Sequence, residues 1–310
     1  KMSASRFTFL RQGTLMIAAT ALSGLLMMAS SIVAQRMEPA EFAVFRVLLV
    51  AYFLMGFPTI GLQLVFTQET ATAGTHEDRA RLAGTARAVL LGTFFLWMIT
   101  AGGAWLGQDF LLTWLKISDP AALWLTVGLG LSSLWLPVLR GLLQGTQNFA
   151  GYGGVLVIDG LLRFTAVLIL VSRGGQSAAG LSGALAGQIA ALGLGFWLTR
   201  NLWRVGGRRE AWKPWFARVV PLTVGFASVL LMTSADALYA QAVFPAGSSQ
   251  FYLAPQLVGV ALFTATMPLA LVIFPKIVAS ARQAQRSDAL RLALGSTGVI
   301  LGTAALLLTF

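Results

Sequence analysis

The chain alternates long apolar runs with short polar breaks. Crossing a hydrocarbon core as a helix takes about 20 mostly apolar residues. Nine stretches meet that length: 12–34, 42–67, 87–107, 121–143, 154–172, 178–199, 218–240, 252–274 and 290–310. The runs are continuous and do not alternate with period two, which excludes a transmembrane barrel. The pattern predicts an all-α, polytopic transmembrane helical bundle. The first run, Gln12 to Ala34, is too long for the apolar core of a signal peptide and is followed by no clear small-residue cleavage site, so it reads as a spanning helix. Polar segments separate the second and third runs (Gln68 to Ala86) and the sixth and seventh (Arg200 to Arg218). The remaining breaks are short and predict helical hairpins. No break is long enough for a soluble catalytic domain.

Composition sharpens this picture. Hydrophobic residues make up 57% of the 310 positions and charged residues 11%, against about a quarter charged in soluble domains. The 33 glycines suit close helix–helix approach in lipid, where van der Waals packing replaces the hydrophobic drive. Cysteine is absent, which excludes disulfides and thiolate metal sites. A net charge of +11 would point to nucleic acid in a soluble protein. Here the basic residues cluster between apolar runs, as topology determinants do, and no nucleic-acid partner is implied.

Basic residues in short loops orient a membrane protein. A cytoplasmic N-terminus puts Lys1, Arg6, Arg11, Arg79, Arg81, Arg87, Arg140 and the Arg200–Arg218 cluster inside, together with Lys276, Arg282, Arg286 and Arg291. That places 17 inside, against Arg36, Arg46, Lys116 and Arg173 outside, with Arg163 within a span. The sequence thus reads as a multi-pass protein of the cytoplasmic (inner) membrane. Pro58, Pro137 and Pro268 lie inside spans and are helix-kink candidates, with Pro221 and Pro275 near span ends. Such bends are either ordinary membrane-helix prolines or openings of an internal cavity.

A second copy of the opening pattern emerges six helices later. Ala34–Gln35, Pro39, Phe42 and Pro58 are echoed by Ala240–Gln241, Pro245, Phe251 and Pro268. An even offset makes this a parallel repeat. It divides the chain into a six-helix lobe (1–199), a basic cytoplasmic linker (200–217) and the first three helices of an incomplete second lobe (218–310). The expectation is a two-lobe bundle of at least twelve helices, truncated here after about nine.

Charges within spans are the candidate chemistry, because an ionisable group in lipid usually faces a partner or a cavity. Asp159 and Arg163 are four apart on one helix face. They fit either a neutralised structural pair or the lining of a cavity in which Arg163 meets an anionic substrate. Asp236 has no basic residue three or four positions away. It fits either an interfacial carboxylate reaching water or a coupling site for a cation or proton. Arg46 and Arg140 lie near opposite interfaces, where snorkelling accounts for both. No catalytic constellation, metal set or cofactor motif is present. The single histidine, His76, sits beside Glu77 and Asp78 in a polar segment. The reading is non-enzymatic, with no cofactor. Without a nucleotide-binding segment, transport would be passive or ion-coupled, unless a separate subunit supplies the energy.

Two stretches carry a resemblance. One is Arg140-Gly-Leu-Leu-Gln144-Gly145-Thr-Gln147-Asn-Phe149 followed by the span with Arg163. The other is Asp236-Ala-Leu-Tyr, Phe244, a short Gly-containing loop, Tyr252 and a span ending Phe274-Pro275. The chain resembles the polysaccharide biosynthesis and export proteins, flippases of lipid-linked oligosaccharides in the superfamily of the multidrug/toxin extruders (a MATE-like architecture). The resemblance implies two six-helix lobes around a central cavity that opens alternately to each side. It implies an undecaprenyl-diphosphate-linked glycan as substrate, as in lipopolysaccharide biosynthesis and O-antigen export, with glycosyltransferases or a polymerase as pathway partners. On this likeness Arg140, Gln144, Arg163, Asp159 and Asp236 are the substrate-cavity candidates, and neutralising Arg163 is expected to slow flipping without preventing folding. Three rivals stand beside it. One is a drug or metabolite exporter of the same superfamily. Another is a non-transporting scaffold of glycan assembly. The third is a major-facilitator-type carrier, whose inner-loop motif Gly74-Thr-His-Glu-Asp78-Arg79 approximates, though Ala80 stands where a glycine is expected.

Overall fold

A computed structural model of the chain describes residues 2–56, 58–207, 212–245, 248–249, 251–253, 255–256 and 259. The described residues form ten helices: α1 (Met2–Ala34), α2 (Pro39–Gly56), α3 (Pro58–Thr72), α4 (His76–Leu106), α5 (Gln108–Trp114), α6 (Pro120–Gly145), α7 (Phe149–Ser172), α8 (Ser177–Leu198), α9 (Arg200–Trp203) and α10 (Trp212–Val243). Among them α2, α4, α6, α7 and α8 are long and apolar enough to cross a membrane, and α1 contributes the apolar stretch Ala18–Ala34. The ninth expected span and nearly all of the eighth lie outside the described residues, as do Pro268 and Pro275.

The second expected span corresponds to α2 and α3, described on either side of residue 57, with Pro58 the first described residue of α3. Helix α6 continues through Pro137, from Pro120 to Gly145. The polar segment expected between the second and third spans is mostly helical too. α3 runs on to Thr72 and α4 begins at His76. A reciprocal cap starts α4: Thr75 Oγ1 accepts from the Asp78 amide at 3.1 Å, and Asp78 Oδ2 accepts from the Thr75 amide at 3.0 Å.

The helices run up and down. At one end Glu41 joins three loops, accepting from the Ser118 hydroxyl and, at 3.2 Å, from the Ser177 amide. Lys116 Nζ donates to the Phe244 carbonyl at 2.7 Å at that same end. At the other end Arg87, early in α4, donates to the carbonyls of Trp203, the last residue of α9, and of Val205 just after it.

Helix approach is set by glycines spaced four apart, which let backbones come close. A Cβ on Gly141 would lie 2.6 Å from the Gln63 carbonyl oxygen, and one on Gly145 would lie 2.4 Å from Thr70 Cβ, so both glycines of α6 lie against α3. A Cβ on Gly183 would lie 2.6 Å from Val167 Cγ2, and one on Gly187 would lie 2.5 Å from the Asp159 carbonyl, so α8 lies against α7 in the same way. Around these seams α2 packs Phe45, Leu48 and Tyr52 with Leu129, Val167 and Leu181. A second cluster joins α3, α4, α6 and α10 through Phe66, Leu82, Val138 and Trp215. The outer face of α4 presents Leu91, Phe95, Ile99 and Leu106, all exposed.

Candidate functional site

The polar groups inside this bundle fall into two adjoining clusters. The first is centred on Asp159 of α7, which is fully buried. One carboxylate oxygen, Oδ1, accepts from Arg163 Nη2 at 3.2 Å, one turn along the same helix. The other, Oδ2, accepts from Gln188 Nε2 of α8 at 2.6 Å. That same oxygen faces Arg140 Nη2 of α6 at 3.8 Å, an ion pair too long for a hydrogen bond. The Tyr52 side chain of α2 lies beside Arg163. Gly187 makes the arrangement feasible, because only a residue without Cβ lets α8 approach the Asp159 backbone this closely.

Two features of the cluster matter chemically. First, charge is not balanced: Asp159 is one carboxylate between two guanidiniums. Second, the cations differ in access. Arg163 is sealed, at 7% side-chain exposure, whereas Arg140 is at 19%. None of the five N–H donors of Arg140 is hydrogen-bonded among the described residues, and its Nε is buried without a partner. Arg140 is therefore a fixed guanidinium with unused donors beside an already shared carboxylate.

The second cluster lies one turn further along α6. Gln144 Oε1 accepts from Gln63 Nε2 at 3.2 Å and from Thr67 Oγ1 at 3.3 Å. Gln63 Nε2 also donates to the Tyr152 hydroxyl at 3.4 Å. Gln63, Thr67 and Gln144 are half-buried and Tyr152 is buried. Three helices meet here, with Gly141 and Gly145 holding α3 against α6.

The structure thus brings together Asp159, Arg163 and Arg140, and places Gln144 next to them. It does not bring in Asp236, which is exposed near the end of α10 and accepts from its neighbour Ala237 N at 2.9 Å. One correction concerns the arginines assigned to snorkelling: Arg140 does not reach away from the bundle but faces Asp159. Arg46 is at 7% exposure, with its Nε unpartnered among the described residues. Gln188, Tyr52, Gln63, Thr67 and Tyr152 are absent from the sequence-derived candidates. An amide within an otherwise apolar run, such as Gln188 or Gln63, is the signal that marks them.

Comparison with known proteins bears on the fold. No family profile and no curated protein sequence matches this chain. Solved structures do. A multidrug-resistance MATE-family transporter of the MOP superfamily, in an inward-facing conformation, superposes with a TM-score of 0.71 at 11% identity, over 93% of this chain and 69% of that one. A MATE in complex with Br-NRF gives 0.62 at 14% identity, over 96% and 69%. A MOP-superfamily transporter from Pyrococcus furiosus, described as having a binding pocket of reversed polarity, gives 0.57 at 13% identity, over 93% and 76%. At these identities the likeness is one of fold. The chain has the all-helical architecture of MATE-type transporters, a multi-pass membrane fold.

Proposed function

We propose that this protein translocates an anionic, lipid-linked glycan precursor across the cytoplasmic membrane. The observation that carries the reading is Arg140: a positioned, partly accessible guanidinium whose donors make no hydrogen bond among the described residues, inside a helical bundle of transporter fold. Guanidinium forks match phosphate geometry. Asp159 and Gln188 hold the site from behind. Arg163 shares the carboxylate, so Asp159 cannot fully neutralise Arg140, and a diphosphate would supply the missing negative charge. Flipping needs no covalent step, only a polar path for the head group while the prenyl tail stays in lipid. The resemblance to polysaccharide exporters names the same substrate class.

Export of a cationic drug is the rival that the multidrug-resistance neighbours favour. Two guanidiniums against one carboxylate disfavour it, since a cationic guest would meet like charge at the accessible member. The test is translocation by the complete protein in proteoliposomes. Undecaprenyl-diphosphate-linked sugar should cross between leaflets, and Arg140→Gln should lower the rate at least about tenfold in a protein that stays folded. Unchanged flipping by a well-folded Arg140→Gln protein would sink the assignment. Accumulation of ethidium with no glycolipid movement would replace it with drug export.

A further inference from the structure

Resting on the reading of Arg140 as the anion seat, we infer that Gln63, Thr67, Gln144 and Tyr152 form a separate hydroxyl-recognising subsite that takes the sugar part of the ligand. Arg140 and Gln144 are one turn apart on α6, about 6 Å of helical rise. That distance is comparable to the span from a diphosphate to the first sugar ring it carries.

The unused hydrogen-bonding capacity in this cluster is mixed in sign. Gln144 Oε1 accepts from Gln63 Nε2 and shares the Thr67 hydroxyl proton with the Gln63 backbone carbonyl, and the two N–H groups of its amide bond to nothing among the described residues. Gln63 spends its amide nitrogen on Gln144 and Tyr152, and its side-chain Oε1 accepts from no described group. The Tyr152 hydroxyl accepts from Gln63 and keeps its own proton to donate. The cluster therefore offers both donors and acceptors. A sugar hydroxyl is itself both donor and acceptor, whereas an ionised phosphate only accepts. No charged side chain belongs to the quartet, so the site suits the neutral part of a ligand whose charged part is held next door.

Access points the same way. Asp159 and Gln188 are sealed, whereas Gln63, Thr67 and Gln144 are half-buried. The site is also stiff, because Gly141 and Gly145 on either side of Gln144 press α6 onto α3. A pre-formed site loses less on binding than a loose one. The competing role for these amides is glue between helices, and it makes a different prediction.

The test measures affinity of the complete protein in nanodiscs, by quenching of its tryptophan fluorescence, for two probes. One is polyprenyl diphosphate and the other is polyprenyl diphosphate bearing a single N-acetylglucosamine. The parent protein should prefer the sugar-bearing probe by about tenfold, the value of one or two neutral hydrogen bonds. Gln144→Leu should abolish that preference and leave the bare probe's affinity unchanged. Tyr152→Phe, which keeps the ring and removes only the hydroxyl, should reduce the preference about threefold. Arg140→Gln should weaken both probes alike. If the parent shows no preference, or both subsite variants keep it, the subsite is overturned while the anion seat stands. Equal loss of both probes in Gln144→Leu would make the amide helix glue and overturn the subsite as well. Failure of the parent to bind either probe would overturn the subsite and the flippase reading together.

Discussion

Asp159→Asn is the perturbation whose size the geometry constrains best. The substitution keeps the shape of the side chain and removes its charge. Arg163, hydrogen-bonded at 3.2 Å and only 7% exposed, is left as an uncompensated buried cation. Removing one partner of such a pair costs about 3–5 kcal/mol. Arg140, at 3.8 Å and 19% exposed, keeps some access to water, so losing its weaker pairing adds about 0–1 kcal/mol. The new amide brings a second penalty. Asp159 accepts on both oxygens, and an Asn NH2 would meet a donor on one side. The total is a large share of the about 5–15 kcal/mol that stabilises a typical fold. The melting temperature in detergent, followed by size-exclusion chromatography after heating, should fall by about 10 °C. The double variant Asp159→Leu with Arg163→Met removes both charges and should recover most of the loss, because exchanging a buried pair for packed apolar groups is often near neutral. A single variant that melts with the parent would refute the reasoning. So would a double variant as unstable as the sum of the two singles.

Gly187→Ala puts a Cβ 2.5 Å from a backbone oxygen that cannot rotate away. It should cost about 1–3 kcal/mol by overpacking, read as a lower melting temperature, with Gly187→Leu failing to give monodisperse protein. Arg46→Met replaces a buried guanidinium whose Nε has no acceptor. Its melting temperature should equal or exceed the parent's, and a marked fall would reveal a partner for Arg46. Thr75→Ala removes the side-chain half of the α4 cap and should cost about 1 kcal/mol with no change in glycolipid binding.

The hydrophobic pattern made most of the helices legible, because run length is a direct readout of bilayer thickness. Its failures have local physical causes. The stretch 68–86 is polar, so it looked like a linker, yet Thr75 and Asp78 cap a helix within it. Asp159 and Arg163 were visible as a pair from their spacing. Arg140, Gln188 and Tyr52 join them only through tertiary packing, which is set by which faces of α2, α6 and α8 carry small residues. Arg140 was misplaced for one reason: distance from a span end along the chain does not say whether a side chain points at a neighbouring helix or at the interface.

Helices α2 and α3 serve different clusters. Tyr52, on α2, belongs to the charged cluster, while Gln63 and Thr67, on α3, belong to the neutral one. A guest held by both clusters would bridge α2 and α3. Helix α3 in turn touches α10, where a Cβ on Gly61 would lie 2.5 Å from Thr223 Oγ1. Such a guest would lie one helix away from α10, so a label on α10 would report its occupancy.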